Sequence, residues 1–200
     1  MVSRAFDFRG HGESGAKPEQ VTITGEVKDL AAAVSFLRRR RVSRFGIVGT
    51  SLGAGVAVLY AAQARRPPFA MALLSPVLDY RRTFLEPETA WGKKWFNPSA
   101  LTEAYEKGTM DIGGFSLGIE LIREFETVSP AKFLRGLTIP ILIVHSEGDP
   151  ITPFHTSRDV ARSSPGVKFV RVRGEGHYFE GFQTRIFQKI SQWLKTQLPA

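Results

Sequence analysis

The 200-residue sequence predicts an α/β fold, a mostly parallel sheet flanked by helices. Short apolar runs at 44–49, Phe69–Ser75 and Ile139–His145 have the length of buried strands, and Val167–Val172 alternates like one. Amphipathic stretches separate these runs, the arrangement that leads to parallel strands with crossover helices. The turn at Phe45–Gly55 passes from a β-type run through glycines into a stretch of small, helix-compatible residues.

The elements follow in order. An opening strand covers about 3–8. Val27, Leu30, Ala31, Val34 and Leu37 recur at helical spacing and place a helix over about 25–40. A strand at 44–49 and a helix at 51–64 come next, then the strand Phe69–Ser75. Residues 76–135 break the strand–helix rhythm and read as a helical insert forming a small cap. Pro140 is tolerated at the start of Ile139–His145. A helix near 154–163 precedes the strand Val167–Val172. The last helix, about 180–197, carries Phe182, Ile186, Phe187, Ile190, Trp193 and Leu194. No linker or repeat divides the chain, so 1–200 is expected to be a single domain with 76–135 as a cap insert within it.

Gly49-Thr50-Ser51-Leu52-Gly53 matches G-x-S-x-G with a strand before it and a helix after it. On that tight, strained turn a serine hydroxyl stands clear of the backbone, which nominates Ser51 as a nucleophile. The flanking glycines are expected to remove side chains that would collide across the turn. Gly114-Phe115-Ser116-Leu117-Gly118 repeats the pattern, but no β-branched run precedes it. Ile119, Leu121, Ile122 and Phe125 then follow at helical spacing, so this copy reads as a glycine-rich entry to an amphipathic helix. A serine nucleophile needs a base, and the base needs an orienting acid. Asp149 lies in the loop after Ile139–His145, and His177 lies in the loop after Val167–Val172. Both therefore fall with Ser51 at the C-terminal edge of the sheet, where open α/β sheets carry their sites.

The remaining polar residues have other readings. Asp79, after Phe69–Ser75, is the alternative acid and otherwise a turn or cap residue, with Asp149 preferred. His11 reads as a turn residue, His145 as a satisfied, partly buried histidine ending a strand, and His155 as lying near a helix start. Asp7 organises the Arg9–Gly12 turn. No histidine pair has the i, i+4 spacing of a helical zinc site, so no metal and no cofactor are expected. The chain has no cysteine, which excludes disulfides and thiolate metal sites. The net charge of +8 includes the run Arg38–Arg41 at a helix C-terminus, where cations complement the helix dipole. Without an aromatic-interleaved basic face, no nucleic-acid binding is expected. The first residues lack the apolar core of a signal peptide and no run approaches membrane-spanning length, so a cytoplasmic location without membrane association is expected.

Four segments together resemble the α/β-hydrolase superfamily, of the small serine esterase type. They are Asp7-Phe8-Arg9-Gly10-His11-Gly12-Glu13-Ser14, the turn at Ser51, and the loops of Asp149 and His177, in the family's order. The stretch Val21–Leu30 and the insert resemble the feruloyl (cinnamoyl) esterase branch. The resemblance implies carboxylic ester hydrolysis through Ser51, His177 and Asp149 and an acyl-enzyme, on a small-molecule ester. It implies that the Leu52 N–H is one oxyanion-hole donor, and that Trp91, Trp95 and Phe115 line an acyl pocket or pack the cap on the sheet. Thioesterase or acyltransferase chemistry, and a non-catalytic role, remain open alternatives.

The family has three strands before the Asp7 segment, and this sequence opens at the fourth. The third would lie between the fourth and fifth and precede a loop with a second oxyanion donor. Either the chain is a piece of a longer esterase, the favoured reading, or the opening strand pairs directly with the strand at 44–49. An open sheet edge would offer a route to a homo-oligomer.

Overall fold

The computed structural model describes residues 2–198. Its main sheet has four parallel strands in the order β1-β2-β5-β6: β1 (Ile47–Thr50), β2 (Met71–Leu74), β5 (Ile141–Gly148) and β6 (Val167–Glu175). β1 and β2 pair Ile47 with Met71 and Thr50 with Leu74, and β2 and β5 pair Met71 with Ile141 and Leu74 with Val144. The strands are parallel, so their C-terminal ends lie on one edge, with β5 and β6 running on past the ends of β1 and β2.

The central strands explain their own composition. On one face Met71, Leu73, Ile141 and Ile143 pack with Leu30 and Val34 of α1 (Ile23–Arg39), with Ala54 and Val58 of α2 (Ser51–Gln63), and with Val160 of α7 (Phe154–Arg162). On the other, Ala72, Leu74, Leu142 and Val144 meet Ile186, Ile190 and Leu194 of α8 (Gln183–Thr196). Burial on both faces is why β2 reads Met-Ala-Leu-Leu without alternation. β1 is an edge, and its Val48 is 49% exposed on the α8 side.

The opening segment departs from expectation. Residues 2–8 form no strand, so neither partner proposed for that strand is found among the described residues. Side chains hold the segment instead. Arg9 grips Asp29 of α1 through Nε (2.9 Å) and Nη2 (2.6 Å), and Phe8 packs against the α1–α2 side of the core. Asp7 does organise the following turn: its Oδ2 accepts the Glu13 N–H at 3.1 Å and its carbonyl accepts the Ser14 hydroxyl at 2.6 Å.

Between β2 and β5 the chain forms a short π-helical turn (Arg81–Leu85), α3 (Ala90–Trp95), α4 (Pro98–Lys107), a hairpin of β3 (Thr109–Ile112) and β4 (Phe115–Gly118), α5 (Ile119–Thr127) and α6 (Pro130–Leu134). α4 follows its signals: Asn97 caps the Ala100 N–H at 3.0 Å, Pro98 opens it, and Gly108 ends it left-handed. The rings of Phe84, Phe96 and Phe125, 4.3–6.5 Å between centroids with only Phe84 and Phe125 stacked, fill the insert's core, which continues onto Leu59 of α2.

The hairpin corrects two expectations, since the insert is not wholly helical and Ser116 sits on a strand. Gly113 and Gly114 both have positive φ, 61° and 91°, as a two-residue hairpin turn requires, and Ser116 pairs with Asp111. The helical spacing of α5 masked the alternation before it.

Candidate active site

Ser51 begins α2 directly from the end of β1 with φ of +51°, a left-handed conformation that costs a non-glycine residue about 1–3 kcal/mol. The main chain around it fixes this turn: the Ser51 carbonyl accepts the Val77 N–H at 3.0 Å. The two motif glycines turn out to be unequal. A Cβ on Gly49 would lie 2.8 Å from the Ala54 Cα and 3.0 Å from the Gly53 carbonyl, both backbone atoms. A Cβ on Gly53 would meet only a Phe8 ring atom at 3.7 Å, an ordinary contact. Only the first glycine is required by crowding, because the turn folds the helix start back over Gly49 and leaves Gly53 facing outward.

Asp149 and His177 are brought together as the spacing predicts. His177 Nδ1 lies 2.8 Å from Asp149 Oδ2 and 3.0 Å from Oδ1. Asp149 Oδ1 also accepts the N–H groups of Ile151 (2.8 Å) and Thr152 (2.9 Å). Burial alone would raise the Asp149 carboxyl. Hydrogen bonds from His145 and His177, with the latter's charge, outweigh burial and hold it well below the usual carboxylate range. An ionised Asp149 fixes the His177 proton on Nδ1 and leaves Nε2 with a free lone pair. That Nε2 is buried and has no hydrogen-bond partner among the described residues.

The His177 loop is tied to the Ser51 end of the sheet. Buried Ser75, directly after β2 and next to β1, donates its hydroxyl to the His177 carbonyl at 3.0 Å. Ser146 pins β6 by donating to the Gly174 carbonyl at 2.7 Å. No hydrogen bond joins Ser51 to His177 among the described residues. The Leu52 N–H, in the first turn of α2, has no acceptor within its helix and carries the positive end of the dipole.

Sequence reasoning missed Ser75, whose only signal is a hydroxyl at the C-terminal end of a buried run. It also understated His145, which is fully buried rather than partly so, with Nε2 3.2 Å from Asp149 Oδ2. Asp79 is a cap residue: its Oδ1 accepts the Arg82 N–H at 3.1 Å, and its carbonyl takes the Thr83 N–H and hydroxyl. His155 pairs with Glu88 at 3.1 Å.

His11 stacks on Phe115 with ring centroids 5.0 Å apart. Trp91 packs 5.9 Å from Phe96, and Trp95 lies beneath the Lys94 ammonium at 4.5 Å. Leu52, Trp91, Trp95 and Phe115 all border the insert's core cluster. A separate groove of about 260 Å³, floored by Leu142, Val170 and Ile186, lies on the α8 face and contains none of the candidate site residues.

The family model described as serine aminopeptidase, S33, matches residues 2–112, more than half of the chain. The chain belongs to this family of α/β hydrolases. A second model, TAP-like protein, matches residues 124–199. An uncharacterized protein of Mycobacterium tuberculosis is 25% identical to it over 173 residues, covering 86% of this chain and 51% of the relative. The rat lysophosphatidylserine lipase ABHD12 is 27% identical over 163 residues, covering 76% and 35%. The chain thus spans about half the length, or less, of the curated relatives it matches.

Solved structures show the same fold. Est1E from Butyrivibrio proteoclasticus with bound ferulic acid superposes with a TM-score of 0.80 at 23% identity, over 96% of this chain and 75% of that one. A monoacylglycerol lipase from Paleococcus ferrophilus gives 0.68 at 18% identity, over 97% and 83%. Among the described residues, no helix is long and apolar enough to cross a membrane.

Proposed function

We propose that the protein is a serine hydrolase that cleaves carboxylic esters through Ser51, His177 and Asp149. One observation carries the reading. The Asp149–His177 pair leaves a buried, unpartnered Nε2 at the sheet edge where the strained Ser51 turn also lies.

In this mechanism His177 Nε2 removes the Ser51 hydroxyl proton as Oγ attacks the ester carbonyl. Asp149 keeps the ring in the required tautomer and stabilises the imidazolium. The oxyanion takes the Leu52 N–H. The proton on Nε2 passes to the departing alcohol, and a water activated by the same nitrogen then releases the acid from the acyl-enzyme. Trp91, Trp95 and Phe115 form the apolar side of the acyl pocket. Esterase and lipase neighbours, one holding ferulic acid, support an ester over an amide substrate.

A fluorophosphonate tests the assignment, with intact mass followed by peptide mapping. Stoichiometric labelling at Ser51, and loss of p-nitrophenyl ester turnover in Ser51→Ala, are expected. Full turnover in Ser51→Ala, or labelling at Ser116 instead, would overturn it. Parallel assays with a thioester and with an added acyl acceptor separate hydrolysis of oxygen esters from thioesterase and acyltransferase chemistry.

A further inference from the structure

We infer that His145 is a positioning residue of the site, its Nε2–H holding Asp149 Oδ2 where it receives the Nδ1–H of His177. The inference rests on the reading of Asp149 and His177 as acid and base.

The protonation of His145 follows from its surroundings. Its Nε2 lies 3.2 Å from Asp149 Oδ2 and 3.3 Å from the Thr152 carbonyl, and both of these oxygens are acceptors. The proton must therefore sit on Nε2, where the N–H donates to the Thr152 carbonyl and lies against Asp149 Oδ2 as a second, charge-assisted contact. Its Nδ1 is buried without a partner, so a second proton there would be an N–H with no acceptor in the interior. His145 thus acts as a donor through Nε2. The Phe154 ring, edge-on at 5.6 Å, backs it on the side of α7.

The Asp149 side chain has no exposed surface, and its two oxygens are held differently. Backbone N–H groups of Ile151 and Thr152 converge on Oδ1 at 2.8 and 2.9 Å. They fix one oxygen, which His177 Nδ1 also approaches at 3.0 Å, but none of them reaches Oδ2. Besides His177, Oδ2 has one contact, His145. That second donor fixes the plane of the carboxylate, and so the direction along which His177 is held. It also withdraws charge from Oδ2, which tempers the stabilisation of the imidazolium.

The test compares His145→Phe, which keeps a ring but no donor, with His145→Gln, which restores an N–H. Two readouts are used: kcat and KM taken separately on a p-nitrophenyl ester, and the low-field proton resonance of the His177 Nδ1–H. In the Phe variant kcat/KM is expected to fall about 10- to 100-fold with little change in KM, the loss typical of a small misplacement. The Nδ1–H resonance broadens or disappears. Gln recovers most of each property.

Wild-type kinetics and an unchanged resonance in the Phe variant would overturn the inference, as would a Gln variant no better than Phe. If Phe at this site prevents folding, His145→Met removes the donor at similar volume and carries the same comparison. The resonance does not depend on turnover. Should Ser51→Ala retain activity, the proposed function fails while the ring-proton comparison still decides the role of His145.

Discussion

Replacing Glu26 by Gln is expected to stabilise the protein above neutral pH and to change it little in acid. Glu26 sits in the first turn of α1 with 2% of its surface exposed, and its Oε2 has no hydrogen-bond partner among the described residues. Burial, and then the charge of Asp29, raise its carboxyl from 4.5 to about 7. Arg9 opposes the shift and Glu124 adds to it. Arg9 is already committed to Asp29, and Glu124 accepts the N–H groups of Ile23 and Thr24 at the same helix start. The folded protein therefore binds a proton at Glu26 over a range where the unfolded chain has released it. Stability is full below about pH 4.5 and is lost as pH rises through about 7. At ~1.4 kcal/mol per pH unit, the penalty at high pH is about 3 kcal/mol.

Glutamine keeps the shape without the charge and should recover that amount. Urea unfolding at about pH 8 and about pH 5 would show Glu26→Gln ahead by about 3 kcal/mol at the first and by under about 1 kcal/mol at the second. Asp149, held low, costs stability as pH falls, but it does so equally in both proteins and cancels in the difference. A gap that does not vary with pH, or no gap at about pH 8, would refute the reasoning.

Other expectations are equally direct. Gly49→Ala should destabilise by about 2 kcal/mol or more and abolish labelling of Ser51, because its Cβ meets backbone that cannot yield, whereas Gly53→Ala should fold and react; comparable losses in both would refute the unequal roles of the two glycines. Ser75→Ala leaves the buried His177 carbonyl unpaired and should cost about 1–3 kcal/mol in urea unfolding and lower kcat; wild-type values for both would exclude the tie to the base. We further propose that the free β1 edge with Val48 supports self-association. Sedimentation velocity should then show a concentration-dependent dimer that Val48→Lys abolishes, and a monomer at all concentrations would dismiss it.

Much of the site could be read in advance because its chemistry is local. Ser51, Asp149 and His177 each close a strand, and strand ends are marked by an apolar run meeting a glycine-rich loop. What stayed hidden depends on contacts distant in sequence. His145 and Asp149 are close in the chain, but nothing in the residues says that the ring turns towards the carboxylate. Ser75 meets His177 across 102 positions. Glu26 lies on the apolar side of a helix whose remaining pattern looks ordinary. The hairpin was in principle legible, since Gly113-Gly114 is flanked by alternating Met110, Ile112, Phe115 and Leu117. The helical period of α5 that follows is the stronger pattern and overlies it. The opening strand failed for another reason: β-type residues specify an extended chain, but a strand exists only where a neighbour offers its backbone.

The clasp between Arg9 and Asp29 has a dynamic consequence. Among the described residues, no main-chain N–H of residues 2–8 makes a hydrogen bond, so beyond its local turn with residues 11–14 this segment is held to the domain by the Arg9–Asp29 contacts and the Phe8 ring rather than by a ladder. Its release requires no strand to be peeled from the sheet and exposes little of the core. In hydrogen exchange these amides should open at a small fraction of the global unfolding energy, while those of β2 and β5 wait for the whole domain. The N-terminal segment is therefore a separately detachable unit, with an attachment that salt weakens and that Asp29→Asn would release without melting the sheet.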